Sequence, residues 1–163
     1  MNTSIQKTKY VKDSQVSMVE LVLPNDTNIL NNLLGGRLMH WMDIAAAMAA
    51  QKHSNTIAVT ASVDDLVFHT AIKLGDMVTI KASVNRAFNT SMEIGIKVEA
   101  QDIETGEIKH SNSAYFTFVS VDKKTHKPIK VPEIIPETEE EKRRCEGALN
   151  RRNLRLSRPK KVF

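Results

Sequence analysis

The pattern of hydrophobic and polar positions predicts one long helix near the start of the chain. Arg37 to Lys52 contains strong helix formers and neither Gly nor Pro. Its Leu, Met, Trp and Ala residues fall on nearly every side of a helix. A helix that is apolar all round is a buried helix, so we predict that other elements surround it. Gly35 and Gly36 come directly before it.

Segments with the pattern of strands lie on both sides of this helix. Val16 to Leu23 precedes it and ends at Pro24, which cannot continue a strand ladder. Four longer runs follow, and period-two alternation is clearest in the last two. The four runs are Ile57–Phe68, Met77–Ala87, Met92–Asp102 and Ile108–Val121. Turn sequences such as Leu74-Gly75-Asp76 separate them, as in antiparallel sheets.

One helix and four or more antiparallel strands predict an α+β fold, with a long sheet wrapped around a central buried helix. The length of 163 residues fits one domain with a tail. One sheet can cover only one side of the helix, and its edge strands stay open. We therefore expect association, most simply as a twofold dimer. We expect residues 1–14 to be frayed, residues 15–136 to form the domain, and residues 137–163 to form a charged helix and basic tail.

The net charge of +4 belongs to the C-terminal segment. Residues 137–163 carry nine Lys and Arg and five Asp and Glu, which leaves 14 of each sign in residues 1–136. A solvated tail that keeps the protein soluble is one explanation. Attraction to the phosphates of a ligand or of nucleic acid is the other. Nucleic acid is disfavoured, because Phe163 is the only aromatic residue in this segment on which a base could stack.

The composition and the motifs exclude several kinds of site. The single cysteine, Cys145, can form neither an internal disulfide nor a cysteine-based zinc site. The five histidines do not form a set, since His40 and His53 are thirteen residues apart and the other three, His69, His110 and His126, lie in separate segments. No zinc-protease, serine-nucleophile or phosphate-loop motif occurs. We expect neither a metal nor a cofactor. Met1–Tyr10 lacks the apolar core of a signal peptide and no stretch is long enough to span a bilayer, which predicts a cytoplasmic protein.

Asp43 is the most informative residue of the predicted helix. Its neighbours are apolar, and burying a carboxylate among them costs free energy unless the carboxylate is paired. Such a group is often part of a functional site, although Asp43 could also lie on a polar stripe with His40 or Lys52. A desolvated carboxylate accepts a proton more readily than an exposed one, which suits a general base near neutral pH.

The glycine pair before the helix is a second candidate. Gly35 and Gly36 lack a Cβ, so backbone N–H groups at the helix start stay open to a ligand oxygen and could polarise a carbonyl. The preceding loop carries Asn28, Asn31 and Asn32, any of which could orient a water or a carbonyl. Ordinary turn and cap chemistry is the alternative for each of these residues taken singly.

Together these residues resemble the opening of the hotdog-fold acyl-CoA thioesterases. The subgroup is the one containing the bacterial broad-range acyl-CoA hydrolases and the brain-type cytosolic acyl-CoA hydrolase. The resemblance covers about residues 15–136. Two positions depart from it, since the family often has Gly at the position of Asn31 and His or Phe at that of Leu34. It is carried by Pro24–Asn28, Gly35-Gly36, Leu38–Asp43, Val59–Asp64, Phe68, Gly75-Asp76, Thr90–Glu93 and Tyr115–Thr117.

The resemblance implies an enzyme that hydrolyses an acyl-CoA thioester to a free acid and CoA. It implies a double-hotdog dimer, usually a trimer of dimers, with active sites between protomers. Asp43 would be the general base or nucleophile, and Asn28, or Asn32 as a second candidate, its partner across the dimer. The Gly36 N–H, beside Gly35, would polarise the thioester carbonyl. Candidates for contacts with the CoA phosphates are Arg86, Asn89, Thr90, Ser91 and the C-terminal arginines.

Three other functions stay open on the sequence alone. A non-catalytic acyl-CoA sensor of the same fold would normally add a DNA-binding domain, for which Met1–Gln15 is too short. An RNA-binding protein would use the basic tail. A hotdog hydratase or dehydratase would need a catalytic His near the helix, and His40 does not fit the thioesterase-like pattern as a replacement for Asp43.

Overall fold

The computed structural model describes residues 7–64 and 66–158 and contains the predicted helix and strands in the predicted order. The strands are β1 Thr8–Tyr10, β2 Val16–Leu21, β3 Ile57–Asp64, β4 Met77–Ala87, β5 Ser91–Gln101, β6 Ile108–Val121 and β7 Glu133–Ile135. The helices are α1 Val11–Ser14, α2 Gly35–Ser54 and α3 Glu139–Ser157, and a 3₁₀ turn spans Pro24–Asp26.

Five of the strands form one antiparallel sheet with α2 against one face. The strand order is β2-β4-β5-β6-β3. Alternate residues of a strand point to the same face, so β4, β5 and β6 each turn a row of apolar side chains toward α2. This core includes Val78, Ile80, Val84, Met92, Ile94, Val98, Phe116 and Phe118 from the sheet and Leu38, Met42, Ala45, Ala46 and Ala49 from α2. The predicted α+β class, with a sheet around a central helix, is confirmed.

One side of α2 and one edge of the sheet are left uncovered within the chain. The exposed apolar side chains of α2 are Met39, Ile44 and Met48, each 38–39% exposed. β3, an edge strand, exposes Ile57, Val59 and Val63. Ile57 and Val59 alternate with Ala58 and Thr60 and so point to the side of the sheet away from α2, whereas Val63 pairs with the core residue Phe116 and faces the helix side. We call Met39, Ile44, Met48 and Val63, together with the edge of β3 beside them, the uncovered face. Within the single chain α2 is therefore covered on one side only, as predicted, because one sheet reaches only one side of it.

The N-terminal residues 8–14 are ordered, so the prediction of a frayed segment is wrong for them. β1 pairs with β7 in parallel, and Val11 and Ser14 of α1 are buried. The Ser14 hydroxyl donates to the carbonyl of Val11 at 2.7 Å and accepts from the N–H of Val84 in β4 at 2.9 Å. The polar local composition does not indicate this order, because the partners lie far away in sequence. Residues 1–6 of the predicted segment lie outside the described residues.

β3 ends at Asp64 and does not continue to Phe68 as predicted. Beyond Asp64, side chains of β6 bond to the connecting segment in place of a strand ladder. Asn112 donates to the carbonyl of Val67, and the Ser111 hydroxyl donates to the carbonyl of Thr70 at 3.3 Å. The apolar residues at the end of the predicted run are therefore free to leave the sheet and approach the start of α2.

α3 packs on the outer face of the sheet. Arg151 forms two hydrogen bonds with Glu93, Nη2 to Oε1 at 2.7 Å and Nε to Oε2 at 3.1 Å, and its guanidinium lies 3.5 Å from the ring centre of Tyr115. Burial opposes the charged form, but the ion pair with Glu93 raises the pKa of Arg151 above its ordinary value. Arg155 pairs with Asp64. These two arginines therefore belong neither to a solvated tail nor to a set of free phosphate contacts, whereas Lys160 and Lys161 lie outside the described residues.

His53, at the end of α2, is fully buried. Its Nε2 donates to the carbonyl of Pro132 at 2.8 Å, and Nδ1 has no partner among the described residues. Burial lowers the pKa of His53; the bond to Pro132 opposes this effect, Lys9 adds to it and Asp13 opposes it. The folded chain therefore keeps this histidine neutral at a pH where the unfolded chain takes up a proton.

We expect the free energy of unfolding to fall as the pH drops below about 6.5, the ordinary pKa of histidine. The slope should approach about 1.4 kcal/mol per pH unit until the lowered pKa is reached. Urea denaturation between pH 7.5 and about 5.5 measures it. His53→Gln should flatten this dependence and His110→Gln, at an exposed histidine, should keep it. An unchanged slope in the His53→Gln protein would contradict the assignment.

Candidate active site

Asp43 lies on α2 where the helix faces β3, at the border of the uncovered face. It is half-buried, whereas the sequence predicted a buried carboxylate. The hydroxyl of Thr60 donates to its Oδ1 at 2.7 Å. Its Oδ2 accepts no hydrogen bond from any residue that the structure describes. The carboxylate is thus held by one oxygen and available through the other.

Thr60 is the site residue that the sequence analysis did not single out. Alternate residues of a strand share a face, so Thr60 lies on the same face of β3 as Ala58, which is buried against the core. The register of β3 on β6 shifts between Thr60 and Ser62, which marks a bulge directly after Thr60. The alternation along the strand is sufficient to place Thr60 on the side that faces the helix. It does not identify Asp43 as the residue of α2 to which Thr60 donates.

The start of α2 leaves backbone donors free. Leu34 at the N-cap provides no side-chain cap, and the N–H groups of Gly35 and Gly36 make no backbone hydrogen bond within the described residues. A Cβ on Gly36 would meet no atom within 4 Å. A Cβ on Gly35 would lie 3.2 Å from the ring of Phe68, which packs across the helix start. Gly36 therefore borders open space, and Gly35 provides room for Phe68.

Asn28 and Asn32 line a cavity of about 380 Å³ beside Gly35. The Asn28 Oδ1 accepts from the N–H of Leu30 at 2.9 Å and of Asn32 at 3.2 Å. Its Nδ2 donates to no group in the described part of the chain and so is free to bind a ligand. The other lining residues are Leu33, Gly35, Leu38, Phe68, His69, Thr70, Ala71 and Ile72.

Asn31, where the resembling family often has Gly, has a φ of 56°. This is the left-handed region, which Gly adopts freely and Asn tolerates better than other residues with a side chain. The Asn31 N–H donates to the carbonyl of Asn28 at 3.0 Å. The backbone of the loop is therefore compatible with either residue, and the difference from the family does not distort it.

The structure does not bring all the predicted residues together in one chain. Asp43 does not line the cavity of Asn28. Asp43 lies seven positions after Gly36 on the α-helix, a rise of about 10 Å. Within a single chain, the carboxylate and the free donors at the start of α2 are therefore too far apart to act on the same bond.

The residues predicted to contact the CoA phosphates lie at or near the β4–β5 turn, toward the other end of α2. The carbonyl of Thr90 accepts from the N–H of Ser120, which lies beside Thr56, just beyond the end of α2. The carbonyl of Asn89 accepts from the N–H of Val131. The guanidinium of Arg86 donates to the carbonyl of Cys145 in α3 at 3.3 Å. Together with Ser91, at the start of β5, these residues are separated from the cavity of Asn28.

A larger groove of about 800 Å³ lies between the outer face of the sheet and α3, away from Asp43 and Asn28. Its basic side chains are largely paired with acids. Lys81 and Lys97 bond to Glu99 and lower the pKa of Glu99 to about 2. Within residues 7–64 and 66–158, no group of three His, Cys, Asp or Glu side chains could hold a metal ion. No helix in these ranges is long and apolar enough to cross a membrane.

Residues 30–107 match the family model of the thioesterase superfamily. The protein VdlD of Helicobacter pylori is 42% identical over 142 residues, which are 87% of this chain and 80% of that protein. The uncharacterized acyl-CoA thioester hydrolase YkhA of Bacillus subtilis is 37% identical over 152 residues, which are 93% of this chain and 88% of that protein. The chain belongs to the thioesterase superfamily. The helix and the sheet described above are therefore those of a thioesterase of the hotdog fold.

Solved structures of acyl-CoA hydrolases share this fold. The acyl-CoA hydrolase of Staphylococcus aureus, in complex with butyryl coenzyme A, coenzyme A and coenzyme A disulfide, matches this thioesterase with a TM-score of 0.85. It is 33% identical, and the match covers 92% of this chain and 91% of that one. An apo-hexameric acyl-CoA thioesterase matches with a TM-score of 0.88 and 36% identity, over 93% and 96% of the two chains. The S. aureus enzyme has also been solved with the substitutions Asp43→Ala, Asn28→Ala and Thr60→Ala.

Proposed function

We propose that this thioesterase hydrolyses acyl-CoA thioesters to a free acid and CoA, in sites shared between two copies of the chain. The observation that carries the proposal is the carboxylate of Asp43, held by Thr60 beside the uncovered face. The substitutions made in the S. aureus acyl-CoA hydrolase support it, since they fall at residues of the same type and number as Asp43, Asn28 and Thr60 here.

Asp43 supplies the base or the nucleophile of this reaction. As a base, it takes a proton from a water that attacks the thioester carbonyl carbon. As a nucleophile, it attacks that carbon itself and forms a mixed anhydride, which water then hydrolyses. In both routes the carbon–sulfur bond breaks, and the CoA thiolate leaves and is protonated. Thr60 serves either route, because its hydroxyl occupies one oxygen of Asp43 and leaves the other to react.

The start of α2 supplies the donors for the developing negative charge on the carbonyl oxygen. The N–H of Gly36 is free, and the dipole of a 20-residue helix favours a negative charge at this end. The free Nδ2 of Asn28 is a second donor for the carbonyl or for the attacking water. Removing one such donor typically lowers kcat by about 100-fold to 1000-fold.

The two halves of the site meet when two α2 helices pack side by side and antiparallel. Asp43 of one copy then lies next to Gly36 and Asn28 of the other. Within one chain, by contrast, Asp43 and Gly36 are about 10 Å apart along the helix axis. The uncovered face fits this contact, since it is apolar and includes a sheet edge that a second β3 can extend. The hexameric relative supports further assembly, for which we propose a trimer of dimers.

The same antiparallel packing gives the β4–β5 turn a role. This turn lies near the end of α2, so in the dimer it approaches the start of the partner helix. Asn89 is exposed there, and Thr90 and Ser91 are partly exposed. We propose that these polar groups, together with Arg86, bind the phosphates of a CoA whose thioester lies at the start of the partner helix.

Replacing Thr60 by Val should lower kcat by about 10-fold to 100-fold, because the carboxylate of Asp43 loses the donor that orients it. Thr60→Ser keeps the hydroxyl and should retain most of the activity. Both rates can be measured as CoA thiol released from a panel of short to long acyl-CoAs. Equal rates for the Val and Ser variants would show that the hydrogen bond has no part in turnover.

Mixing two inactive variants tests the shared site directly. Asp43→Ala and Asn28→Ala proteins, unfolded together in equal amounts and refolded, should recover about a quarter of the wild-type activity, since half of the dimers then contain one complete site of the two. Each variant refolded alone should stay inactive. If both residues of a site came from one chain, the mixture would gain nothing over its components.

A further inference from the structure

We infer that the ion pair between Asp26 and Arg37 positions the Asn28 loop against the first turn of α2. The inference rests on the proposed function, in which Asn28 and Gly36 act on one carbonyl. The Nε of Arg37 lies 2.9 Å from Oδ1 of Asp26. The other oxygen of Asp26 accepts from the N–H of Leu23 at 3.1 Å. Asp26 is only 8% exposed, so its carboxylate is fixed from both sides.

The backbone of Asp26 makes a second tie to α2. Its carbonyl accepts from the N–H of Leu34, the residue directly before Gly35, at 2.8 Å. Asp26 therefore holds the start of the helix through its main chain and through the side chain of Arg37, the residue directly after Gly36. The hydrogen bond to Leu34 and the ion pair with Arg37 both lie within one helical turn of the free N–H groups.

The loop between Asp26 and Leu34 is held together by its own backbone contacts. The N–H of Asn28 donates to the carbonyl of Asn32 at 2.8 Å, and Thr27 and Leu33 form a β-bridge. Its other backbone anchors, from Leu33 to Ile72 and from Leu74 to Asn31, lead to the segment before β4 and not to α2. Apart from the peptide link through Leu34, the contacts that set the separation between the Asn28 amide and the Gly36 N–H are therefore those of Asp26.

A displacement at this point should reduce the rate more than the binding of substrate. A misplacement of about 1 Å in a catalytic group can cost about 100-fold in rate, while remote contacts with the substrate persist. Arg37 has a partly exposed side chain, 41% accessible, so it also has room to contact a substrate phosphate itself. The two roles differ in what they change: positioning lowers kcat, and a phosphate contact raises KM.

Kinetics of variants of the full-length chain separate these roles. Arg37→Met keeps the apolar stem and removes the guanidinium, Arg37→Lys keeps a charge, and Asp26→Asn keeps the shape of the carboxylate. Lys109→Met is the matched control, since it breaks the exposed ion pair with Glu107, and neither of these residues lines the cavity of Asn28. All are assayed for kcat and KM on the acyl-CoA that the wild type hydrolyses best, and for thermal midpoint.

We expect kcat of Arg37→Met to fall about 10-fold or more, with KM changed less than about 2-fold and a thermal midpoint like that of Lys109→Met. Arg37→Lys should recover part of the rate. The Asp26→Asn/Arg37→Met protein should be no slower than the slower single variant, because the two residues act as one pair. This pattern supports positioning.

Two results overturn the inference while leaving the proposed function intact. One is an unchanged kcat in Arg37→Met, and the other is a raised KM at unchanged kcat, which makes Arg37 a substrate contact. A wild-type protein that hydrolyses no acyl-CoA overturns the proposed function itself, and this inference with it. That failure appears before any variant is made, so the two are distinguishable.

Discussion

Replacing Asp43 by Asn should lower kcat by about three orders of magnitude and leave the fold intact. The Asn side chain has the same shape and can still accept the hydrogen bond from Thr60. It can neither take a proton from water nor attack a carbonyl carbon as a carboxylate does. Because Asp43 is half-buried and has a single hydrogen bond, the change in unfolding free energy should stay below about 1 kcal/mol. Release of CoA thiol and urea denaturation measure the two effects.

The control for Asp43→Asn is Asp102→Asn. Asp102 lies in the exposed turn between β5 and β6, where its Oδ1 accepts from the N–H groups of Glu104 and Thr105. Asn can accept both bonds, so this variant should keep full activity. An Asp43→Asn protein as active as Asp102→Asn would remove Asp43 from the mechanism, whichever of the two routes is considered.

Replacing Arg151 by Met should lower the unfolding free energy by about 3–5 kcal/mol. The change leaves Glu93, which is 2% exposed, without its cation beneath α3. Its remaining partner is the amide of Asn85, which donates to Oε1 at 3.1 Å. One amide cannot offset the desolvation of a full charge. Urea denaturation of the variant at neutral pH measures the loss.

Two further variants separate the buried charge from a general effect of losing an arginine. Arg143 is a surface residue of α3 whose closest acid is 3.8 Å away, so Arg143→Met should cost no more than about 0.5 kcal/mol. Glu93→Leu combined with Arg151→Met removes both charges and should recover part of the loss. Equal losses for Arg151→Met and Arg143→Met would show that the pair contributes little to stability.

The sequence predicts the elements that carry their own periodicity. β4 and β6 have the predicted bounds, and α2 extends only two residues beyond each predicted end. The N-terminal β1 and the docking of α3 could not be predicted in this way, because their partners lie far along the chain. Arg151 and Glu93, for example, are 58 positions apart. The amino-acid sequence of a basic helix does not show whether the helix packs against a sheet or is surrounded by solvent.

The residues of the candidate site likewise include some that the local sequence indicates and others that it does not. A carboxylate in an apolar helix and a glycine pair before it are local signals, and they identify Asp43 and Gly36 as residues to explain. Thr60 requires the register of β3 against α2, and Asp26 requires knowledge of where Arg37 points. The resemblance adds the choice of Asn28 among three loop asparagines and the division of the site between two chains, which no local pattern contains.

The uncovered face has a consequence for how the rate depends on the amount of protein. In the proposed arrangement a lone chain holds two half-sites and no complete one, so turnover requires an encounter between chains. Specific activity should then be constant at high concentration and fall on dilution past the dissociation constant of the dimer. Below that concentration the rate of hydrolysis would rise more steeply than the amount of protein, since halving a scarce protein removes more than half of its complete sites.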